Sequence, residues 1–446
     1  MAQAEGVLNA RATLLVAGTA LAVRLAYLWA VYDGPASLSH PDTGLWVVAA
    51  ADPSTWFGTA ERMPGYTLYM GLMRAVFGPT LLAPVLGQIV ADSATCVVVA
   101  RIGGAFAPNA ALPAGLVAAL APTQVVMASV VLGDTLFTCF AAAALLAGLR
   151  FIERPNARTA AVLAIWCGAA LLNRAMVWPL VAFLPAAIFA HACWRTRSMR
   201  GSLTAAAAFA CICAALSAPV VIRNYLAYGA PELSSQSGAH LALWVVPLVR
   251  EAEDGTPHSV GASAIGAEFD ERFAGIARDN PFAVSGGLKV IAREKLAELG
   301  PLPVAKAWMS GAVINLFSPA TLMIPPVMQL PRTGFYATPG DGPLDKAVNF
   351  VWRNDNATYA RWLAAGTAVE LPLKLLAFAG FLAALARPRA RLAAVVLAGW
   401  VVFLLAIYGP VASAKYRLPA EPVFAAFSAL ALLALRDRRA EIRHAG

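Results

Sequence analysis

The sequence predicts an all-α polytopic membrane protein with about ten transmembrane helices and an extracytoplasmic region of helices and loops. Composition points there first. Of 446 residues, 59% are hydrophobic and 13% charged, and the mean hydropathy is +0.66, outside the range of soluble globular domains. Apolar runs of roughly 17 to 25 residues recur along the chain, each long enough to cross a bilayer as a helix. The arginines fall in short clusters between those runs. That is how cytoplasmic loops are marked, and it explains the net charge of +9 without a nucleic-acid partner.

The first span is expected from about Arg11 to Val31. It lacks a small-residue cleavage site and reads as a retained helix. Arg24 lies inside it, which requires it either to snorkel to the interface or to face a protein interior or a partner. The chain then leaves the bilayer for a loop, residues 32–81, holding two short apolar stretches suited to interfacial helices, with Trp46, Trp56, Tyr66 and Tyr69 as belt aromatics. The second span, Leu82 to Arg101, contains Asp92, read as a packed polar residue. The apolar region from Ala110 to Leu149 is too long for one helix and is broken at Pro113 and Pro122. It is expected to form two helices meeting between Thr123 and Asp134, with Asp134 capping the second.

Basic loops at Arg150–Arg158, Trp194–Arg200 and Arg387–Arg391 mark the cytoplasmic side. Between the first two, a hairpin turns at Asn173 and Arg174. A further span from Leu203 ends near Arg223, which closes an N-terminal module of residues 1–223. Hydropathy falls over residues 224–366, where Pro, Gly and acidic residues accumulate. This reads as an extracytoplasmic region with amphipathic helices. Residues 367–446 carry the last spans, Thr367–Ala386, Leu392–Tyr408 and Leu418–Leu435, and a basic tail. All six cysteines sit in or beside spans, so no disulfide framework is expected. His191, His240, His258 and His444 lack metal-ligand spacing, so no structural zinc is expected either.

This topology gathers a polar set at the outer helix ends: Asp42 and Arg62 from the first loop, then Asp134, Arg174, Arg223, Lys415 and Arg417. Cations on the side that basic loops avoid call for an anion, and a lipid phosphate or pyrophosphate at headgroup depth supplies one. His40 stands beside Asp42, where it is a plain loop residue or a partner to the acid. Tyr66 and Tyr416 are interfacial or substrate-facing.

Motifs in this set resemble those of the membrane-embedded C-type (GT-C) glycosyltransferases, in the branch of the protein O-mannosyltransferases and the lipid A aminoarabinose transferase. The stretch H-P-D-T-G-L-W resembles that family's acidic first-loop motif. Further matches run in family order: R-M-P-G-Y-T-L-Y-M, V-L-G-D-T-L-F-T, L-L-N-R-A-M-V-W-P, A-P-V-V-I-R-N-Y-L-A-Y-G and K-Y-R-L-P-A-E-P. The resemblance implies an inverting enzyme of the bacterial inner membrane that takes a sugar from a polyprenyl-phosphate donor at the extracytoplasmic face. Asp42 matches the catalytic aspartate and would act as general base. Arg223, Lys415 and Arg417 fall near the donor phosphate, with Arg62 beside them, and His40, Tyr66, Asp134, Arg174 and Tyr416 are weaker substrate-binding candidates.

No cofactor is firmly implied, and a divalent ion near the phosphate is left open. The acceptor is a lipid, a cell-envelope glycan or a protein. Two departures stand out: Thr43 follows Asp42 where many relatives have Glu, and Asp134 replaces a usual Glu. The competing reading is a lipid or lipid-linked-sugar transporter, which would place its charges near mid-membrane and show inverted repeats.

Overall fold

The computed structural model describes residues 9–331, 335, 338–353 and 357–445. These residues form helices, turns and loops and contain no strand. The chain opens with α1 (Ala10–Val31), capped by the Asn9 side chain, which accepts from the Ala12 N–H. The first loop folds into two short helices, α2 (Thr43–Ala51) and α3 (Pro64–Phe77). Pro64 starts α3, where its missing N–H costs nothing, and Gly78 ends it at φ 80, a left-handed value that favours glycine.

Then come α4 (Leu82–Phe106), α5 (Ala111–Leu120), α6 (Pro122–Ala128), α7 (Asp134–Glu153), α8 (Ala157–Asn173), α9 (Trp178–Thr196) and α10 (Met199–Tyr228). Short α11 (Gln236–His240) and α12 (Val246–Asp254) lead into α13 (His258–Arg272), α14 (Pro281–Leu299) and α15 (Pro301–Phe317). After the single turns α16 (Pro325–Met328) and α17 (Pro343–Val348), the chain ends in α18 (Ala357–Leu385), α19 (Arg391–Tyr408), α20 (Ala414–Arg417) and α21 (Glu421–Ala445).

Among the described residues, eight helices are long and apolar enough to cross a membrane, or nine when α5 and α6, bent by 53° at Ala121, count as one. The expected ten included α8, which is apolar but has only 17 residues. The bend follows from Pro122, which disfavours a helical conformation at the residue before it; Ala121 is extended there, at ψ 118. The helices α13 to α15 form where amphipathic patterns were read. α13 and α14 pack through Ile265, Phe269, Leu288 and Ile291 into a small core shared with Ala242 and Val246, while Ala307 of α15 packs with Val245 and Val249. α18 begins about ten residues before the expected span at Thr367, so the last helix-rich part of the chain starts inside the expected outer region.

Two buried ion clusters hold the spans together. Arg24 is fully buried and does not snorkel; of the two readings the sequence left open, it takes the protein interior. Its guanidinium donates to Asp92 Oδ2 at 2.5 Å and to the carbonyls of Ala20 and Ala119 at 3.1 and 2.9 Å. Gln124 donates to the other carboxylate oxygen, Asp92 Oδ1, at 3.2 Å. A buried charge needs such a complete set of partners to be tolerated at all.

The second cluster joins α18 to α20 and α21. Arg417 contacts Glu370 at 3.0 Å and Glu421 at 2.6 Å, and Lys374 meets the same two carboxylates at 3.2 and 2.9 Å. Two cations and two anions balance within it. α18 and α21 approach closely at Gly380, where a Cβ would run into the Phe427 carbonyl.

Candidate active site

The first loop is positioned by the turn before α7. The Val131 N–H donates to the Leu38 carbonyl at 2.9 Å, and the Thr43 hydroxyl donates to the Val131 carbonyl at 3.0 Å. These bonds set Asp42, at the mouth of α2, beside Asp134 at the start of α7. Asp42 is in the N-cap position of α2, yet its side chain caps nothing. The carboxylate instead turns to Lys415, whose ammonium lies 2.9 Å from Oδ2. Lys415 is presented from α20, whose preceding residue Ser413 donates its N–H to Asn315 Oδ1 at 3.0 Å. Two residues further on, Arg417 donates to the Leu316 and Ser318 carbonyls at 3.1 and 2.5 Å, which pins that short helix to the end of α15.

His40 accepts the Asp42 N–H on Nδ1 at 3.0 Å. Nδ1 is therefore the unprotonated nitrogen, and the ring is neutral. Burial, and then the Lys415 charge, push the His40 pKa down to about 4. Its approach to Asp42 Oδ2 at 3.5 Å is accordingly not an ion pair near neutral pH. At Asp42 burial works to raise the pKa, but the attraction and hydrogen bond of Lys415 outweigh it, and the net direction is down. The carboxylate is ionised and 41% exposed on its side chain.

Two further cations flank the acid. The Arg62 guanidinium lies over the Trp46 ring at 4.5 Å. Arg174, at the turn between α8 and α9, pairs with Asp134 at 2.6 Å and retains 26% exposure. The carboxylate of Asp134 thus serves Arg174, whereas the sequence suggested a helix cap. Tyr416 stacks against Tyr408 with ring centroids 4.3 Å apart.

His40, Asp42, Arg62, Asp134, Arg174, Lys415 and Tyr416 all line one cleft of about 2550 Å³. A pocket for one small molecule is roughly 300–1,000 Å³, so this cleft has room for two substrates. Along one side it is apolar: Met309, Val313 and Ile314 of α15 line it while 67%, 52% and 44% exposed. Glu61 stands exposed at the cleft wall beside Arg62.

Three candidate residues do not line this cleft. Arg223 spends its guanidinium on the Phe57 and Thr59 carbonyls at 2.6 and 2.7 Å and on Asn224 Oδ1. It fastens the first loop to α10. Arg417 is buried in the quartet with Glu370, Lys374 and Glu421. Tyr66 is buried and donates to Gln88 Oε1 at 2.6 Å, with Trp46 edge-on to its ring at 4.9 Å. Tyr66 and Trp46 are thus packed inside the protein and are not belt aromatics.

Sequence reading missed Glu370 and Lys374, whose only signal was a pair of opposite charges four residues apart inside an apolar run. Among the described residues no group of three or more His, Cys, Asp or Glu side chains is arranged to hold a metal ion; the side chain of His444 lies outside the described residues.

The long apolar spans and the helical fold make this an integral membrane protein. Residues 61–222 match the family model of the dolichyl-phosphate-mannose-protein mannosyltransferases. That stretch holds Arg62, Asp134 and Arg174, and it excludes Asp42 and Lys415. The fold is similar to that of the archaeal oligosaccharyltransferase AglB from Archaeoglobus fulgidus, solved in complex with an inhibitory peptide and a dolichol-phosphate. The TM-score is 0.54 at 14% sequence identity, over 97% of this chain and 51% of that one, so the chain spans about half the length of that relative. No curated protein sequence matches. The two matches support the C-type glycosyltransferase resemblance that the motifs carry.

Proposed function

We propose that the chain is an inverting glycosyltransferase that moves a sugar from a polyprenyl-phosphate-linked donor to an acceptor at the extracytoplasmic face of a bacterial inner membrane. The observation that carries the reading is the ionised Asp42 held against Lys415 in a cleft that also presents Arg62 and Arg174. Arg62, Arg174 and Lys415 are set against the carboxylates of Asp42 and Asp134, with Glu61 beside Arg62, and these three cations supply the donors for a phosphate. The family model that matches is one of dolichyl-phosphate-mannose-dependent enzymes, and the AglB structure holds a dolichol-phosphate. Both agree with a prenyl-phosphate headgroup among these cations, its tail along the apolar face of α15.

In this scheme the acceptor hydroxyl oxygen forms a bond to the anomeric carbon as Asp42 takes the hydroxyl proton. The bond from that carbon to the phosphate oxygen breaks, and the phosphate leaves with the electron pair. Lys415, Arg62 and Arg174 stabilise the growing charge. Inversion follows from attack opposite the departing phosphate. His40, neutral with Nδ1 bonded to the Asp42 N–H, orients the acid and does not share its proton. Arg223 and Arg417 are assigned here to holding the fold, because protein carbonyls and carboxylates take up their donors.

The test is transfer of radiolabelled sugar from polyprenyl-phosphate donors in membranes containing the protein. Wild type is expected to transfer label, and Asp42→Asn, inserted at equal level, to lose it. Undiminished transfer by Asp42→Asn would refute the assignment.

A further inference from the structure

The wall of the cleft across α11 and α12 has no part in the scheme above. The turn Leu241–Val245 joining these helices is a π-turn, and its cause lies in the sequence. Pro247 has no N–H for the Leu243 carbonyl and its ring crowds that carbonyl, which widens the preceding turn. Ala242, Val245 and Val246 are buried around this turn, at 0%, 1% and 3% exposure. Trp244, the largest apolar side chain in the segment and the one burial would favour most, is left 51% exposed. It lines the cleft.

The His258 ring backs Trp244, with centroids 4.7 Å apart. His240, Leu248 and Glu251 line the cleft with it, spaced four, four and seven residues from Trp244, so they share one helical face. Glu251 is half-buried, and burial raises its carboxyl above the usual range.

We infer that this stripe, Trp244 flanked by His240, Glu251 and His258, is a carbohydrate subsite that holds the acceptor as a glycan. A flat aromatic face takes the C–H face of a pyranose ring, and side chains around it that both donate and accept serve its hydroxyls. The donor sugar belongs beside Asp42, with the first loop and α20, and the cleft is large enough for both saccharides. The inference rests on the glycosyltransferase reading and names its acceptor class.

The full chain in lipid nanodiscs tests it by saturation-transfer NMR with mannotriose, N-acetylchitotriose and a serine-containing hexapeptide. Saturation is expected at ring protons of at least one saccharide, to fall at least fivefold in Trp244→Ala and to persist in Trp244→Phe. Binding of a short-chain polyprenyl phosphate, measured alongside, should be equal in wild type and Trp244→Ala. No saccharide signal, equal signal in Trp244→Ala, or a response to the peptide alone overturns the inference. Failure of wild type to bind the polyprenyl phosphate would count against the donor assignment instead.

Discussion

Replacing Asp42 by asparagine should tighten the binding of a polyprenyl phosphate even as it abolishes sugar transfer. In the free protein Lys415 is already committed to Asp42 at 2.9 Å, and a phosphate must draw it away. At an effective dielectric constant of about 20 the bare attraction at that distance is about 6 kcal/mol. Solvent takes most of this back. Asp42 is 41% exposed, and exposed pairs are worth at most about 1 kcal/mol once hydration and side-chain entropy are counted. The Asp42→Asn change would release that amount, equivalent to about a fivefold lower Kd.

Isothermal titration of a short-chain polyprenyl phosphate into the protein in nanodiscs reads this directly. Lys415→Met, which removes the phosphate's own partner, should weaken binding by about ten- to a hundredfold, the worth of a hydrogen bond to a charged group. Should Asp42→Asn bind the phosphate no better than wild type, or less well, then Lys415 does not pass between the two anions and the reasoning fails.

Three further outcomes are expected. Lys415→Met removes the charge that lowers the Asp42 pKa and leaves the burial that raises it, so the acidic limb of kcat/KM should move to higher pH; a limb that stays or moves down would contradict the assignment. Arg24→Leu strands a fully buried Asp92 and should cost about 3–5 kcal/mol in detergent unfolding, while Arg24→Leu/Asp92→Leu should recover most of the loss; a single variant as stable as wild type would restore the snorkelling reading. Arg223→Gln loses its bonds to Phe57 and Thr59 and should speed proteolysis within residues 52–63, with polyprenyl phosphate affinity changed by less than about twofold.

The class of fold was legible because a bilayer imposes a pattern of length and hydropathy that few sequences meet by accident. Local punctuation was legible too: Pro64 at the start of α3 and the break at Pro122 both sit where proline chemistry puts them. What could not be read was how the cations are shared out. Arg223, Lys415 and Arg417 look alike in a linear chain, each a base at the end of a span. Their fates depend on partners far away in sequence: Thr59 is 164 residues from Arg223 and Asp42 is 373 from Lys415. Arg24 and Asp92 were each visible as a charge in an apolar run, but only packing reveals that one answers the other. Trp244 had no signal beyond Pro247 three residues later.

The link between Lys415 and Asp42 has a consequence for the molecule as a mechanical object. One partner belongs to the beginning of the chain and the other to its end. The first loop is buttoned to α10 through Arg223 and to the next segment through the Ser235 N–H on the Ala60 carbonyl at 2.9 Å. Lys415 is rooted on the other side through Arg417. Neither root gives way easily, so the distance between acid and ammonium gauges how the two halves of the chain sit across the cleft. Any force that parts those halves also parts Asp42 from Lys415.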